Sequence, residues 1–597
     1  MRPGILSAAA AMTMGGFVSA QVTTLASVDS SGGQGNGISG ATAITPDGRY
    51  VVFDSDATNL VPGDTNTWGD VFVRDRYAGT TERISVDSNG TQGSNFSWSG
   101  SISADGRYVS FLSAAPDLVP GDTNGMPDVF VRDRQLGLTT RVSVASSGAE
   151  GNAPCWSHAI SADGRYVAFE SRSTNLIPGG NLGFEVFVHD RLTGQTELAS
   201  VDSAGVEGDG ASDDPTLSAD GRFVAFSSNA TNLVPGDTNA VRDVFVHDRQ
   251  TGRTTRVSVS SSGAQGDHFS FVPRLSADGR FVVFSGLATT LVPGDTNADY
   301  DVFVHDRQTG ETTRVSVDSF GAQGDDESSY CSISADGRFV AFESRATNLV
   351  AGDTNGLCDA FLHDRQTGRT ERVSLSTSGI QGNDSSSWGM VPFVSSAARL
   401  VVFNSLATNL VPNDVNAELD AFVRDRDASG FSILCEPGAA GVLACPCSNP
   451  PSGPGRGCDN SSATGGAILS ASGVAYLSMD ALVFTTSGEK PAALSIVMQG
   501  NGTIPNGALY GQGIRCVGGT IIRRLFVKTA SAGSITAPDF GAGDPTVSAR
   551  SAAKGDVIHA GESRWYLVYY RDPIVLGGCA ATKTFNATQA GRVDWSL

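Results

Sequence analysis

The chain is short of charge, of long apolar runs and of helix. Charged residues make up only 17% of its 597 positions. No stretch supplies the roughly 20 consecutive apolar residues that a membrane helix needs, and no sustained 3.6-residue apolar period marks an amphipathic helix. Basic residues are the scarcer sign: 41 Lys+Arg against 62 Asp+Glu leave a formal charge of −21. That balance disfavours nucleic acid and anionic lipid as partners, because a phosphate backbone is neutralised by a basic face. Enzyme signatures are missing too. There is no Gly-x-Ser-x-Gly elbow, no His-Glu-x-x-His pair, no Gly-x-x-x-x-Gly-Lys-Ser/Thr loop and no α/β segment that would carry a hydrolase site.

Glycine, at 72 copies, is abundant, and the apolar residues fall in short runs rich in Val, Phe, Ile and Ala. This pattern favours many brief strands joined by turns. The length exceeds what one hydrophobic core organises, so a repeat architecture or several domains is expected. At the start, Arg2 precedes a mildly apolar stretch through Ile5, Leu6, Ala8 to Ala11 and Phe17, then Val18-Ser19-Ala20. Residues 1–20 therefore read as a secretory signal, and the product as exported: periplasmic, cell-surface or extracellular. Six of the nine cysteines, Cys435, Cys445, Cys447, Cys458, Cys516 and Cys579, lie after residue 430. An even set suits three disulfides in an oxidising compartment, and the Cys445-Pro446-Cys447 spacing is too tight for an ordinary zinc site.

The main signal is internal repetition. The phrase Asp-Gly-Arg-(Tyr/Phe)-Val begins at Asp47, Asp105, Asp163, Asp220, Asp278 and Asp336, at spacings of 58, 58, 57, 58 and 58 residues. A seventh copy, Ala397-Ala398-Arg399-Leu400-Val401, has lost the Asp-Gly turn but keeps the strand after it. In the fifth unit, a short strand a precedes Asp278-Gly279. Strand b follows as Arg280–Phe284, strand c as Asp301–His305 and strand d as Thr312–Val317, with turn residues between them. Four short strands per unit make a propeller blade. Phe53, Phe111, Phe169, Phe226, Phe284, Phe342 and Phe403 recur on strand b, and Phe72, Phe130, Phe187, Phe245, Phe303, Phe361 and Phe422 on strand c. They are expected to fill the wedge between neighbouring blades. Thr23–Val28 looks like an orphan strand d that completes the last blade, which removes exposed edges; a competing register uses Phe431–Leu434 instead.

The phrase Ser-Ala-Asp-Gly-Arg-Phe-Val-Ala-Phe, followed by Asp-Val-Phe-Val-His-Asp-Arg-Gln-Thr-Gly, resembles the repeat of the TolB-type, WD-like β-propeller family over residues 21–430. That resemblance implies a fold and leaves the activity open, because the family spans interaction proteins, peptidase propellers and lyases. The tail, from Leu443-Ala444-Cys445-Pro446-Cys447 to Tyr569-Tyr570-Arg571-Asp572-Pro573, resembles a C-terminal domain of exported planctomycete proteins. The expected organisation is all-β: a seven-bladed propeller over 21–430 with the N-terminal strand closing the last blade, a Cys/Pro/Gly-rich linker over 431–462, and a disulfide-containing, sandwich-like β-domain over 463–597.

Two sets of candidate site residues emerge. The loop from strand b to strand c repeats an Asp-x-Asn…Asp pattern at Asp64, Asn66, Asp70; Asp122, Asn124, Asp128; Asp237, Asn239, Asp243; Asp295, Asn297, Asp301; Asp353, Asn355, Asp359; and Asp414, Asn416, Asp420. Hard oxygens from a short loop suit calcium, while the competing reading is that Asp and Asn simply cap turns. The second set follows from a filter: in a ring of similar units a residue present seven times is scaffold, whereas a single site draws on residues that differ. The loops from strand d to the next strand a differ most. They carry Trp98, Trp156, His158, Asp213, Asp214, His268, Phe269, Asp325, Asp326, Tyr330 and Trp388. Aromatic platforms beside carboxylates suit a protein or glycan ligand.

His189, His247, His305 and His363 share one place in four blades and are expected at solvated strand ends. Cys331 and Cys358 are expected to meet within one blade as a disulfide. The functional expectation is a non-catalytic binding protein, with a carbohydrate-active hydrolase or lyase as the alternative, using pairs such as Asp213-Asp214 or Asp325-Asp326.

Overall fold

In the computed structural model, the described residues are 21–426 except 180–182, 388 and 397, and 431–595 except 436, 438–441, 448, 453–455, 473–474, 476, 478–479, 511, 560–561 and 575–583. The expected signal segment, Trp388 and Cys579 thus lie outside them. The chain divides into two compact units, Val22–Arg426 and Asp427–Leu597.

The first unit contains seven four-stranded antiparallel sheets. In the fifth, strands a to d are Ser270–Leu275, Phe281–Gly286, Asp301–Asp306 and Glu311–Arg314, and the same letters serve for the other sheets. The Asp-Gly-Arg phrase makes the a-to-b turn. Asp278 accepts the Ser276 hydroxyl at 2.6 Å and the Arg280 N–H at 3.0 Å. Gly279 has φ +68° and lies so close to the Phe223 ring of the fourth sheet that an added Cβ would sit 2.3 Å from it. Both the backbone and the neighbouring sheet therefore demand glycine there. Arg280 then clasps Asp306 through Nε and Nη2, at 2.9 and 2.6 Å, tying the start of strand b to the end of strand c. The degenerate seventh unit keeps this clasp as Arg399–Asp425, at 3.0 and 2.9 Å, which explains why its arginine survives the loss of Asp-Gly. Neighbouring sheets are also linked by arginines stacked on rings, such as Arg307 lying 4.2 Å from the Phe223 centroid. The first lysine in the sequence is Lys490; a planar guanidinium can clasp and stack where an ammonium cannot.

All fourteen repeat phenylalanines are buried. Each b–c pair faces the preceding sheet: Phe284 and Phe303, 5.8 Å apart, pack against Val244, Val246 and Val257 of the fourth sheet. Full burial of one such ring stabilises by roughly 2–3 kcal/mol. The series is cyclic, because Phe53 and Phe72 of the first sheet pack against Val402, Ala421 and Val423 of the seventh. The seventh sheet is itself completed from the chain's beginning. Val22–Leu25 pairs antiparallel with Asp420–Asp425, with Val22 opposite Asp425 and Leu25 opposite Phe422. The competing strand, Phe431–Cys435, instead pairs with Ala590–Asp594 in the second unit, so what was expected as the start of a linker is a strand.

Two expectations are corrected here. His189, His247, His305 and His363 are buried, 6–7% exposed, and each meets a strand-d threonine hydroxyl through Nδ1, as His305 meets Thr312 at 2.9 Å. Chain leaving the preceding sheet lies over this position: Thr196, the partner of His189, donates to the Val144 carbonyl, and Arg132, which stands in the histidine's place, donates to the Asp87 carbonyl at 2.8 Å. Cys331 and Cys358 are free rather than bonded. Cys331 lies on strand a and Cys358 just before strand c, with strand b between them. Two inter-strand steps come to about 9.5 Å, beyond the reach of a disulfide.

The second unit has two antiparallel sheets. One runs Phe431–Cys435, Ala590–Asp594, Ser563–Arg571, Leu494–Tyr510, Gly513–Thr529, with Phe585–Ala587 also on Ser563–Arg571. The other runs Ile468–Ser472, Val483–Ser487, Thr536–Ala537. They share a core in which Phe484 lies 4.5 Å from Tyr566. Cys445 is bonded to Cys458, and Cys447 and Cys516 are disulfide-bonded as well.

Candidate functional site

The innermost strands are irregular in a recurring way. Pairing of strand a with strand b breaks between Ala41 and Ala43, Trp98 and Ser101, Cys155 and His158, Asp213 and Thr216, Phe271 and Arg274, and Ser329 and Ser332. Within these bulges Ser99, Asp214, Val272 and Tyr330 hold positive φ, at 59°, 54°, 51° and 43°. Such backbone costs of order 1–3 kcal/mol per residue and is least natural for the β-branched Val272. Bulges re-aim side chains, and three of the four line cavities, Ser99 and Asp214 the first and Tyr330 the second.

The first cavity, about 520 Å³, is lined by strand a of all seven sheets and so lies on the axis of the ring. Trp98, His158 and Asp214 line it, with Asp54, Arg274 and Met390. Both ring nitrogens of His158 are buried without a hydrogen-bond partner among the described residues. Burial drives its pKa down to about 4, against a smaller opposing pull from the Ser110 backbone, so the ring is neutral. The second cavity, about 440 Å³, opens beside the fourth to seventh sheets and is lined by Arg242, Phe269, Phe271, Tyr300, Glu327, Ser329, Tyr330, Glu343 and Gly389.

The carboxylates around these cavities have defined partners. Asp214 turns through its bulge so that both it, at 2.9 Å, and Asp213 reach the same guanidinium, Arg242. Glu170 accepts from the Ser157 hydroxyl at 2.7 Å and from the Asp214 N–H at 3.4 Å. Glu343 accepts from the Ser329 hydroxyl at 3.1 Å, the Gly389 N–H at 2.8 Å and the Cys358 thiol at 3.7 Å. Burial raises all three strand-b acids: Asp54 to about 7, Glu170 upward, Glu343 to about 8.

The residues expected at a binding face are thus divided. Trp98, His158 and Asp214 meet at the axis, and Phe269 and Tyr330 in the side cavity. Asp213 joins them through Arg242, and His268 stacks on Phe269 with ring centroids 4.5 Å apart. Trp156 is 52% exposed and lines neither cavity. Asp325 holds Thr347 through its N–H at 2.7 Å and hydroxyl at 2.8 Å, and Asp326 caps the Glu327 N–H at 2.7 Å. These two acids are engaged in hydrogen bonds of the loops, and neither lines a cavity described above.

Asp54, Glu170 and Glu343 escaped the sequence reading although a signal existed. They directly follow the strand-b phenylalanine, where the seven units read Asp54, Leu112, Glu170, Ser227, Ser285, Glu343 and Asn404. The phenylalanine faces the preceding sheet, so the next residue faces the following one. The filter for residues that differ between units applies there as well as in loops.

The Asp-x-Asn loops are built around arginine. Asp64 and Asp70 hold Arg83 at 3.1 and 2.9 Å, and Asp122 and Asp128 hold Arg141 at 3.4 and 3.3 Å. Asp237 and Asp243 hold Arg256 at 3.0 and 3.2 Å; Asp295 and Asp301 hold Arg314 at 3.4 and 3.2 Å; Asp353 and Asp359 hold Arg372 at 3.2 and 3.0 Å. In the seventh loop Leu25 stands opposite Phe422, where five other sheets place their arginine, and Gln34 donates to both Asp414 and Asp420 at 2.7 Å, as Gln323 does to Asp295 and Asp301 beside Arg314. The asparagines Asn66, Asn124, Asn239, Asn297, Asn355 and Asn416 each donate to a glycine carbonyl and accept the N–H two residues on, as Asn124 does with Gly151 at 3.0 Å and Met126 at 2.7 Å. Asp122, Asp128 and Glu150 come within metal-ligating reach of one another, and Arg141 pairs with all three.

No protein-family model matches the chain, and no curated protein sequence matches it. Solved structures do: the chain is similar to TolB-type and other β-propellers. TolB from Acinetobacter baumannii matches at 16% identity over 56% of this chain and 62% of its own, with a TM-score of 0.31, so the match spans under two thirds of that protein. An oligogalacturonate lyase in complex with manganese matches at 11% identity over 68% of this chain and 90% of its own, with a TM-score of 0.40. The β-propeller domain of the Trilobed protease from Pyrococcus furiosus, described as having an open velcro topology, matches at 10% identity over 65% and 95%, with a TM-score of 0.40. Scores of this size carry no argument about ligand or chemistry.

Proposed function

We propose that the protein is an exported binding protein: a seven-bladed propeller, closed by its first strand and joined to a disulfide-held β-sandwich, that receives a ligand at the axial mouth. One observation carries this reading. Residues peculiar to single sheets converge on two adjoining cavities and are held there by strained bulges, and strain of this kind persists where the surroundings fix a side chain for use. The acids within reach are engaged, Asp213 and Asp214 by Arg242 and Glu170 by neutral donors, which favours recognition over turnover. Disulfides in the second unit suit an oxidising compartment.

Probing peptide and oligosaccharide arrays with the full chain tests this. Capture that is lost in Trp98→Ala or Tyr300→Ala supports a binding face, and conversion of a captured ligand to product overturns it. The second reading, a carbohydrate-active hydrolase or lyase, is favoured by Glu343 alone, whose carboxyl is pushed up to about 8 by burial and stays protonated near neutrality as a general acid must.

A further inference from the structure

We propose that the side cavity binds an organic cation on an alkyl stem, the ammonium or guanidinium of a basic side chain in a polypeptide ligand; this deepens the binding-face reading and rests on it. The walls are aromatic. Phe269 and Phe271 lie 5.7 and 5.5 Å from the Tyr300 centroid, the second nearly perpendicular at 83°, and the Tyr330 bulge completes the lining. Ring faces attract cations, and more strongly where water is excluded.

The same lining holds a buried carboxyl group that has no cation paired with it among the described residues. Glu343 is 5% exposed, and each of its hydrogen-bond partners, the Ser329 hydroxyl, Gly389 N–H and Cys358 thiol, is uncharged. The nearby guanidiniums are committed elsewhere, Arg242 to Asp213 and Asp214, and Arg345 to Glu327 at 3.3 Å. The phenol of Tyr330 senses the resulting field: burial raises its pKa first, then Glu343, Asp214, Tyr300 and Glu327 in turn. An entering cation supplies the missing counter-charge, and the cavity of about 440 Å³ has room for one side chain with its stem. An anion would oppose ionisation of Glu343, and a neutral ligand would leave the carboxyl protonated and supply no charge for it to pair with.

Cation binding also draws the proton off Glu343. Affinity therefore rises with pH, by up to about tenfold per unit, until the carboxyl is ionised near 8, and then stays level until the probe's own amine titrates. Ser329, Cys358, Tyr330 and Tyr300 are the uncharged groups facing this acid, and Arg242, Arg345, Asp214 and Glu327 the charged ones around it.

The test is isothermal titration of the full chain at pH 8.5 and low salt with N-acetyl-lysine methylamide, N-acetyl-arginine methylamide and the uncharged norleucine analogue. The cationic probes should bind at one site, at least about tenfold tighter than norleucine. Glu343→Gln and Tyr300→Leu should each weaken them by about tenfold or more, while Phe320→Ser, at a residue 96% exposed, changes nothing. Retention of the unfolding temperature in the Gln variant shows that it folds. If norleucine binds as tightly, the cation claim falls and the binding face stands. If no probe binds, or neither variant matters, this proposal is overturned even where arrays still capture a ligand at the axis.

Discussion

Asn404 of the seventh sheet grips Ala41 of the first by both backbone groups, its Oδ1 accepting the Ala41 N–H at 2.7 Å and its Nδ2 donating to the Ala41 carbonyl at 3.3 Å. A side-chain amide here stands in for a neighbouring strand at the one boundary where the two ends of the chain's ring meet. Asn404→Leu leaves that N–H and carbonyl buried and unpaired, at a cost of about 1–3 kcal/mol each. Calorimetry should show the propeller transition shifted down and the transition of the second unit unmoved.

The arginines in the b-to-c loops are open to the same kind of measurement. Removing one partner of a buried ion pair strands the other charge and typically costs about 3–5 kcal/mol. Arg314→Leu, which leaves Asp295 and Asp301 uncompensated, should therefore lower the unfolding temperature by several degrees. Chelator added to the unmodified protein should leave it where it was, because a guanidinium already fills five of the six loops and Gln34 bridges the carboxylates of the sixth. A chelator-induced drop would instead show that calcium stabilises the fold.

The buried acids set a pH dependence whose sign is fixed. The Glu343 pKa rises from 4.5 to about 8, so the folded chain holds a proton that the unfolded chain releases. Stability from this group falls as pH climbs from 4.5 towards 8, by at most about 1.4 kcal/mol per unit, and is level above. Asp54, raised to about 7, acts in the same direction. The clasped Asp190, Asp248, Asp306 and Asp364 are lowered by their arginines and act oppositely, losing their contribution below the ordinary carboxylate range. Denaturant melts should thus find the propeller most stable in mild acid, about pH 5, with Glu343→Gln flattening the limb above it.

Thiol labelling gives a separate check on the corrected cysteines. Cys155, Cys331 and Cys358 are free and buried, and burial raises their pKa values, that of Cys331 to about 12. A thiolate is the reacting form. Iodoacetamide should leave these three peptides unmodified in the native protein and label all of them in denaturant without reductant, as read by peptide mass mapping. A Cys331–Cys358 bridge would keep two of them unlabelled in both states.

How far the sequence spoke depended on what each residue answers to. The Asp-Gly-Arg spacing and the paired phenylalanines answer to local turn geometry and to one repeated interface, so they were legible, as was the orphan strand at Thr23. His189 and its equivalents were not, because their burial comes from chain leaving the preceding sheet, which no pattern within a unit reveals. Glu343 was hidden for a related reason. Ser329, 14 residues away, is its cross-strand partner within the sheet, but Gly389 lies 46 residues away and reaches it only from the neighbouring sheet. The Asp-x-Asn loops carried both readings at once, and what the sequence left open was the guanidinium from strand d that lies between the carboxylates.

The pairing of Val22–Leu25 with Asp420–Asp425 also fixes an order of events at birth. Val22–Leu25 must wait for the last part of the ring to emerge, roughly 20 to 80 s at ordinary ribosomal speed. Throughout that interval its hydrogen-bonding edge is bare. Anything that tethers the nascent front end, a fused tag or a slow translocation step, will delay the latch rather than the blades, and the nascent protein should be most vulnerable to proteolysis at that seam.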